Sequence, residues 1–328
     1  MDDAAVDEPG GQAAALHGVE ASDLVTVSWC SWPRRRDLGN RPAVVALATV
    51  AFLLVAAVSQ PAFAASEDPR VIAVHTTPES DVSIVLAAPA VPADSELGPD
   101  ELSVLFAGMP VSPTVTPMAS SHLSVALVID TAANTTAEAL QAAKSGAAEF
   151  LLGLPGGART MVIQAGGTPR IVAPLSSTRA TALSAVSDLR TSGARSTTDG
   201  TLLAAQELAA APAGPRAIIL YAAGSDERGA SVEQLTEAVS RAAAVLNVIQ
   251  TGGNQSWSSV VDRAGALLRA ETAEVVQSYR RLLDALDDQY VVAFKAPELP
   301  GRAHLTVDTG DVESSVEVQV PEAETAED

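Results

Sequence analysis

The sequence predicts an α/β fold, a doubly wound and mostly parallel sheet, with a small β-sandwich beside it built from both chain ends. Three features predict this. Residues 123–134 read L-S-V-A-L-V-I-D-T-A-A-N, an almost unbroken apolar run that ends in one carboxylate. A strand buried on both faces of a parallel sheet looks like this, its last residue surfacing at the sheet's carboxyl edge. From there to residue 294, strand-like and helix-like patterns alternate. Finally, segments before residue 117 and after residue 301 read as short strands that neither end could pack into a core alone.

Composition narrows the function classes. At 328 residues and 47% apolar content, the chain suits one large or two modest domains with an ample core. Its net charge of −20 argues against nucleic acid and acidic membrane surfaces as partners. The single cysteine, Cys30, excludes an intramolecular disulfide and a cysteine metal cluster, and His17, His75, His122 and His304 lie too far apart for a zinc helix.

In chain order, residues 1–64 form a leader. Arg34, Arg35, Arg36 and Arg41 precede the apolar stretch 43–58, followed by Pro61 and Ala62-Phe63-Ala64. A basic flank, a short apolar run and an A-x-A site make a signal-peptide pattern, cleaved after Ala64 or retained as a membrane anchor. Either route places the remainder outside the cytoplasm, with a membrane touched only through the uncleaved segment. Residues 66–117 offer strands at 70–75, 82–87, 102–106 and 111–115, with a turn at 107–110. The central region, 121–297, opens with the strand ending at Asp130 and a helix over 137–154 that starts after Asn134-Thr135-Thr136. Strands at 159–164 and 170–174 flank a Gly-Gly-Thr-Pro turn, which predicts one antiparallel edge strand. Helix 178–189, a polar loop 191–200 and helix 202–210 lead to a buried strand at 216–222. Helix 232–243, strand 245–250, helix 258–267 and helix 272–286 follow, and strand 290–294 closes a sheet of about six strands. Trp257, Tyr279 and Tyr290 fall at core positions. Residues 302–309 and 312–320 alternate at period two around Gly310 and pair with the first strands, before an acidic tail at 321–328.

Asp130 is placed like a site residue, because ligands of open α/β sheets bind at the carboxyl edge. A buried aspartate capping the next helix is the equal alternative. Enzyme signatures are absent: no G-x-S-x-G elbow, P-loop or S-x-x-K is present, and Gly252-Gly253-Asn254 is not a dinucleotide fingerprint.

The order of elements over 121–296 resembles the von Willebrand factor A domain, a Rossmann-like fold. Ala147-Ala148-Glu149-Phe150-Leu151 before a Leu-Pro turn, the strand and Thr-Pro turn of 159–169, and Asp288-Gln289-Tyr290 before the last strand resemble its bacterial secreted members. The resemblance implies a metal site built from Asp-x-Ser-x-Ser, a threonine in a later loop and an aspartate after the strand at 216–222. A hard divalent cation wants about six oxygens, and one position would be left for a partner's carboxylate. The match leaves Asp130, Asn134 and Thr198 (with Thr197 beside it) as remnants of such a site. Ala132 and Ala223 stand where the family supplies a hydroxyl and a carboxylate, while Asp199 and Asp226 lie in the same loops.

The expectation is therefore a non-enzymatic, exported protein-binding module with a degenerate adhesion site. Asp130, Asn134, Thr198, Asp199 and Asp226 would face an unidentified protein partner. No cofactor is expected, magnesium being the alternative if the remaining oxygens suffice. A scaffold role in a secretion, pilus or wall-assembly complex is the competing function.

Overall fold

The computed structural model describes residues 68–322, apart from 78–79, 90, 92–96, 99, 227–228, 254–256 and 311–312. The leader of 1–64, with its cleavage site, and residues 323–328 of the acidic tail lie outside the described residues. Among the described residues, no helix is long and apolar enough to cross a membrane.

The α/β part is a six-stranded sheet. Its strands are β6 (Ser124–Asp130), β7 (Arg159–Ala165), β8 (Arg170–Ser176), β9 (Arg216–Ala222), β10 (Val245–Gln250) and β11 (Gly265–Arg269). They lie in the order β11-β10-β9-β6-β7-β8. Neighbours pair in parallel, except that β8 runs antiparallel to β7 at the edge, as the Gly-Pro turn between them predicts. Every residue of β6 and β10 is buried, which explains their continuous apolar spelling. The helices are α1 (Ala137–Gly153), α2 (Arg179–Asp188), α3 (Thr197–Ala209), α4 (Val232–Arg241), α5 (Ser258–Ala264) and α6 (Val275–Asp287). Thr136 caps α1 by accepting from the Ala139 amide at 3.1 Å. Gly146 and Gly153 let α1 press against α6, since a Cβ at Gly146 would meet the Tyr279 ring at 2.3 Å. Trp257 and Tyr279 are fully buried in this core.

Two antiparallel sheets complete the chain. The inner one has the order β1-β2-β12-β5, from Arg70–Thr76, Asp81–Ala87, Gln289–Lys295 and Thr114–Pro117. The outer one has the order β14-β13-β3-β4, from Glu313–Val320, Gly301–Asp308, Leu102–Phe106 and Met109–Val111. They pack face to face through Ile84, Leu86, Tyr290, Val292, Phe294, Phe106, Leu305 and Val307, with the Phe106 and Phe294 rings tilted at 55° and 5.8 Å apart. The alternate residues of the inner sheet, Ala73 and Val85, join the α/β core instead. Strands from before and after the α/β segment thus share both sheets: β3 pairs with β13, and β5 and β2 flank β12.

Several boundaries differ from the sequence reading. Strand β12 belongs to the inner sandwich sheet, not to the α/β sheet, so the α/β part ends before residue 289 rather than at 297. Both faces of β12 meet apolar neighbours, Val291 the α/β core and Val292 the sandwich core, so it spells like a central parallel strand. The sixth strand is β11, where helix was expected to residue 267. Gly265 ends α5 there, and a Cβ on it would sit 1.7 Å from the Leu246 carbonyl oxygen. Helix α3 starts at Thr197, inside the expected polar loop, and the expected turn at 107–110 is confined to Ala107-Gly108, because Met109 already pairs with Phe106.

Candidate functional site

Strand β6 leads into α1 and on to β7 on one side, while its other neighbour is β9. The chain therefore reverses its winding between β6 and β9, where open sheets form a crevice at their carboxyl edge. Asp130, the last residue of β6, sits in that crevice and is 0% exposed.

Four donors saturate its carboxylate. Oδ1 accepts from the Ala132 amide at 3.0 Å and from the Thr135 hydroxyl at 3.2 Å. Oδ2 accepts from the Ala223 amide at 3.0 Å and from Arg195 Nε at 2.5 Å. A carboxylate offers about four lone-pair positions, and all are taken. The Arg195 side chain is 10% exposed, so this is a buried, charge-assisted ion pair. Its Nη2 donates to Asn134 Oδ1 at 3.1 Å and to Thr135 Oγ1 at 3.4 Å, and its Nη1 reaches the Ser225 carbonyl at 3.5 Å.

Local backbone structure delivers the arginine. The loop before α3 is fastened by the Ser192 amide to the Thr131 carbonyl at 2.7 Å and by the Ala133 amide to the Gly193 carbonyl at 2.9 Å. The Gly167 amide donates to the Ala194 carbonyl at 2.7 Å. This close approach needs glycine, since a Cβ at Gly166 would lie 2.5 Å from both the Thr131 and Ser192 carbonyl oxygens. On the opposite side, a Cβ at Gly224 would stand 2.4 Å from Arg195 Nη1. The missing side chain there makes room for the guanidinium.

The remaining predicted residues form a second cluster. Asp226 Oδ1 accepts from the Thr197 hydroxyl at 2.7 Å, and its Oδ2 accepts from the Thr198 amide at 2.7 Å and the Thr198 hydroxyl at 2.8 Å. The carboxylate thus rests on the N-terminus of α3, where unpaired amides and the helix dipole favour an anion. Asp199, in the first turn of the same helix, accepts from the Ala230 amide at 2.8 Å. Both aspartates therefore tie the loop after β9 to α3. Asp130 and Asn134 are brought together, Thr198 and Asp226 are brought together, and Arg195 joins only the first pair. Asp130 does not cap α1; Thr136 does.

A divalent ion does not fit these residues. Ala132 and Ala223 offer no side-chain oxygen, and the Ala223 amide is spent on Asp130. The Thr198 hydroxyl faces Asp226, and a guanidinium already holds the oxygens of Asp130, Asn134 and Thr135. Among the described residues no group of three His, Cys, Asp or Glu side chains could hold a metal. Arg195 was missed by sequence reasoning. Its one signal is a lone arginine in the small-residue run S-G-A-R-S-T-T-D-G.

A doubly wound sheet with polar loops gathered over Asp130 at its switch point defines the class of open, Rossmann-like α/β domains. Residues 125–225 match the family model of the von Willebrand factor type A domain, and this part of the chain is such a domain. Among solved structures, a von Willebrand factor type A protein from Catenulispora acidiphila superposes with a TM-score of 0.48 at 13% identity, covering 79% of this chain and 74% of its own. Proximal thread matrix protein 1 from the mussel byssus gives 0.48 at 15% identity over 55% of this chain, which spans about half (49%) of the mussel protein's length. The domain of the type V pili tip protein Mfa5 from Porphyromonas gingivalis gives 0.42 at 9% identity, covering 50% of this chain and 95% of that domain. No curated protein matches the chain.

Proposed function

We propose that the protein is an exported, non-enzymatic interaction module that binds a protein partner through the loops at the carboxyl edge of its α/β sheet, without a divalent metal. Domains of this type commonly mediate protein interactions. The observation that carries the metal-free reading is the Arg195 guanidinium seated on Asp130, Asn134 and Thr135. Export rests on the basic flank, the apolar run and Ala62-Phe63-Ala64.

The face has a definite chemistry. Its exposed residues include Ala133, Asn134, Ser192, Gly193, Ala194 and Asp199, small and mostly uncharged. The buried charges beneath are internally neutralised, so a partner meets backbone and short polar side chains. Copurification from the native envelope, with and without EDTA, tests the proposal. Capture should be unchanged by EDTA and reduced by Asn134→Arg and Ala194→Arg, bulky changes at exposed positions. Capture abolished by EDTA, or untouched by both substitutions, would overturn it.

One observation favours a second reading, an assembly scaffold. The large exposed apolar side chains Leu105 and Met109, 39% and 51% exposed, lie on β3 and β4 of the outer sheet, away from the edge loops. If Leu105→Ser and Met109→Ser abolish capture while the loop substitutions do not, the sandwich is the docking surface.

A further inference from the structure

A cationic pocket lies beside the Asp130 crevice, where α1 meets the C-terminal end of α2. Lys144 of α1 donates to the Leu189 carbonyl at 3.3 Å. Arg190 Nη1 donates to the same oxygen at 2.8 Å and to the Ser187 carbonyl at 3.3 Å. Two positive charges thus share one neutral acceptor. Among the described residues neither has a carboxylate within ion-pair distance, in a chain whose acidic side chains outnumber lysine and arginine 40 to 20. Asp188 acts on Lys144 only from farther away. Capping of α2 accounts for one cation, since Arg190 alone reaches both carbonyls. It leaves the second unexplained.

Both residues line a cavity of about 240 Å³ with Thr135, Leu140, Leu189 and Thr191. We propose that this cavity receives a glutamate side chain of the protein partner, its carboxylate between Lys144 and Arg190 and its methylenes against Leu140 and Leu189. The inference rests on the interaction-module reading above and gives the partner a chemistry; it involves neither Asp130 nor a metal ion.

Charge supports it. With Asp188 counted, the local balance is one positive charge, which one carboxylate neutralises. Burial and the neighbouring Arg190 charge draw the Lys144 pKa below its ordinary value, with Asp188 opposing, and a bound anion relieves that repulsion. Unspent donors support it too. Lys144 uses one of its three, and Arg190 Nε and Nη2 have no acceptor among the described residues. Those two nitrogens form one edge of the guanidinium fork, an edge that takes a carboxylate bidentately. The cavity is smaller than the roughly 300–1,000 Å³ that encloses a whole small molecule, so it suits a single side chain. Its aliphatic wall suits a stem of methylenes, which a phosphoryl group lacks. Thr135 and Thr191 adjoin the exposed Asn134 and Ser192, so the pocket borders the proposed binding face. The net charge of −20 disfavours acidic segments elsewhere on the surface, which confines recognition to this spot.

The chain has two lysines, Lys144 and Lys295. Reductive methylation of the full chain with carbon-13 formaldehyde keeps their charge and gives one reporter in the pocket and one on β12. Acetyl-Gly-Glu-Gly-amide should shift the Lys144 resonance saturably and leave Lys295 unmoved. The glutamine counterpart should have no effect, and inorganic phosphate should bind more weakly than the glutamate peptide. Arg190→Gln should weaken the peptide roughly tenfold, the loss expected for a charge-assisted hydrogen bond. If Arg190→Gln does not fold, Gln141→Glu decides the matter. It puts a carboxylate on the exposed rim of the cavity, and should abolish the peptide shift without lowering the melting temperature. In envelope copurification, Lys144→Gln and Gln141→Glu should each reduce capture of the partner. A Lys144 resonance blind to the glutamate peptide, equal responses to glutamate and glutamine, tighter binding of phosphate, or a shift unchanged by both Arg190→Gln and Gln141→Glu would each overturn the proposal. Peptide binding at Lys144 with no partner captured would sink the functional reading and leave the carboxylate pocket standing. Capture lost with Asn134→Arg yet indifferent to Lys144→Gln would do the reverse.

Discussion

Asp130 and His75 are both ionisable and both buried, 0% and 4% exposed, yet the fold treats them oppositely. Asp130, at the carboxyl edge of the α/β sheet, receives four hydrogen bonds, one of them from a guanidinium. His75, on β1 facing α4, finds no hydrogen-bond partner for either ring nitrogen among the described residues. It lines a cavity of about 330 Å³ with Asp81, Glu237 and Arg241. Burial, aided by the nearby Arg216 charge, lowers its pKa to about 4, so it is neutral at pH 7. A buried charge persists where loops converge to supply a counter-charge and donors. Where only flat sheet and helix surfaces meet, the group sheds its proton instead.

The contrast breaks first at Asp130. Asp130→Ala strands the Arg195 charge and two amides, and should cost about 3–5 kcal/mol in urea unfolding. Adding Arg195→Ala should cost less than the sum of the two single changes, because the pair acts as a unit. A loss near 1 kcal/mol for Asp130→Ala would reduce the ion pair to a simple turn cap.

The next effect belongs to His75. Its folded pKa, about 4, lies below the ordinary imidazole value of 6.5, so between those pH values the unfolded chain binds more protons. Stability should therefore fall as pH drops from 6.5 towards 4, by up to about 3 kcal/mol from this group. His75→Leu should flatten that slope in urea titrations at pH 7 and pH 4.5. An unchanged slope would assign the acid sensitivity to other groups.

Gly224→Ala sharpens the picture of the arginine seat. Its Cβ meets a guanidinium held from the Asp130 and Asn134 sides, and should cost about 1–3 kcal/mol. In the Arg195→Ala background the same change should cost clearly less, which paired melts would show. Smallest is Thr198→Ala, which removes one bond to Asp226 but keeps the amide bond beside it. About 1 kcal/mol is expected, equal with and without EDTA; a loss seen only with metal present would return Thr198 to a ligand role.

Much of the fold is legible because burial writes itself into composition. The all-apolar β6 and β10 and the Gly-Pro turn before β8 specify a parallel sheet with one antiparallel edge. The same logic hides β12, since a strand pressed between two cores spells like a strand of a parallel sheet. The start of α3 is hidden differently. Thr197-Thr198-Asp199-Gly200 are weak helix formers, and Asp226, 28 residues from Thr198, holds their first turn. Asp130 could be read from its place at the end of an apolar run. Arg195 could not: it lies 65 residues from Asp130, on a loop aimed by backbone bonds that leave no periodic trace.

The pairing of β5 with β12 has a mechanical consequence. The chain leaves the inner sheet at β5, forms the whole α/β part, and returns at β12 as the antiparallel neighbour, Pro117 opposite Tyr290. The α/β part is thus a closed loop whose two ends are stitched together. Tension between residues 70 and 320 runs through the sandwich and bypasses that loop until β5 and β12 part. Under load, the sandwich should yield first in single-molecule pulling, with Arg195 still seated on Asp130. The loops over Asp130 are sheltered from strain applied at the ends of the sandwich.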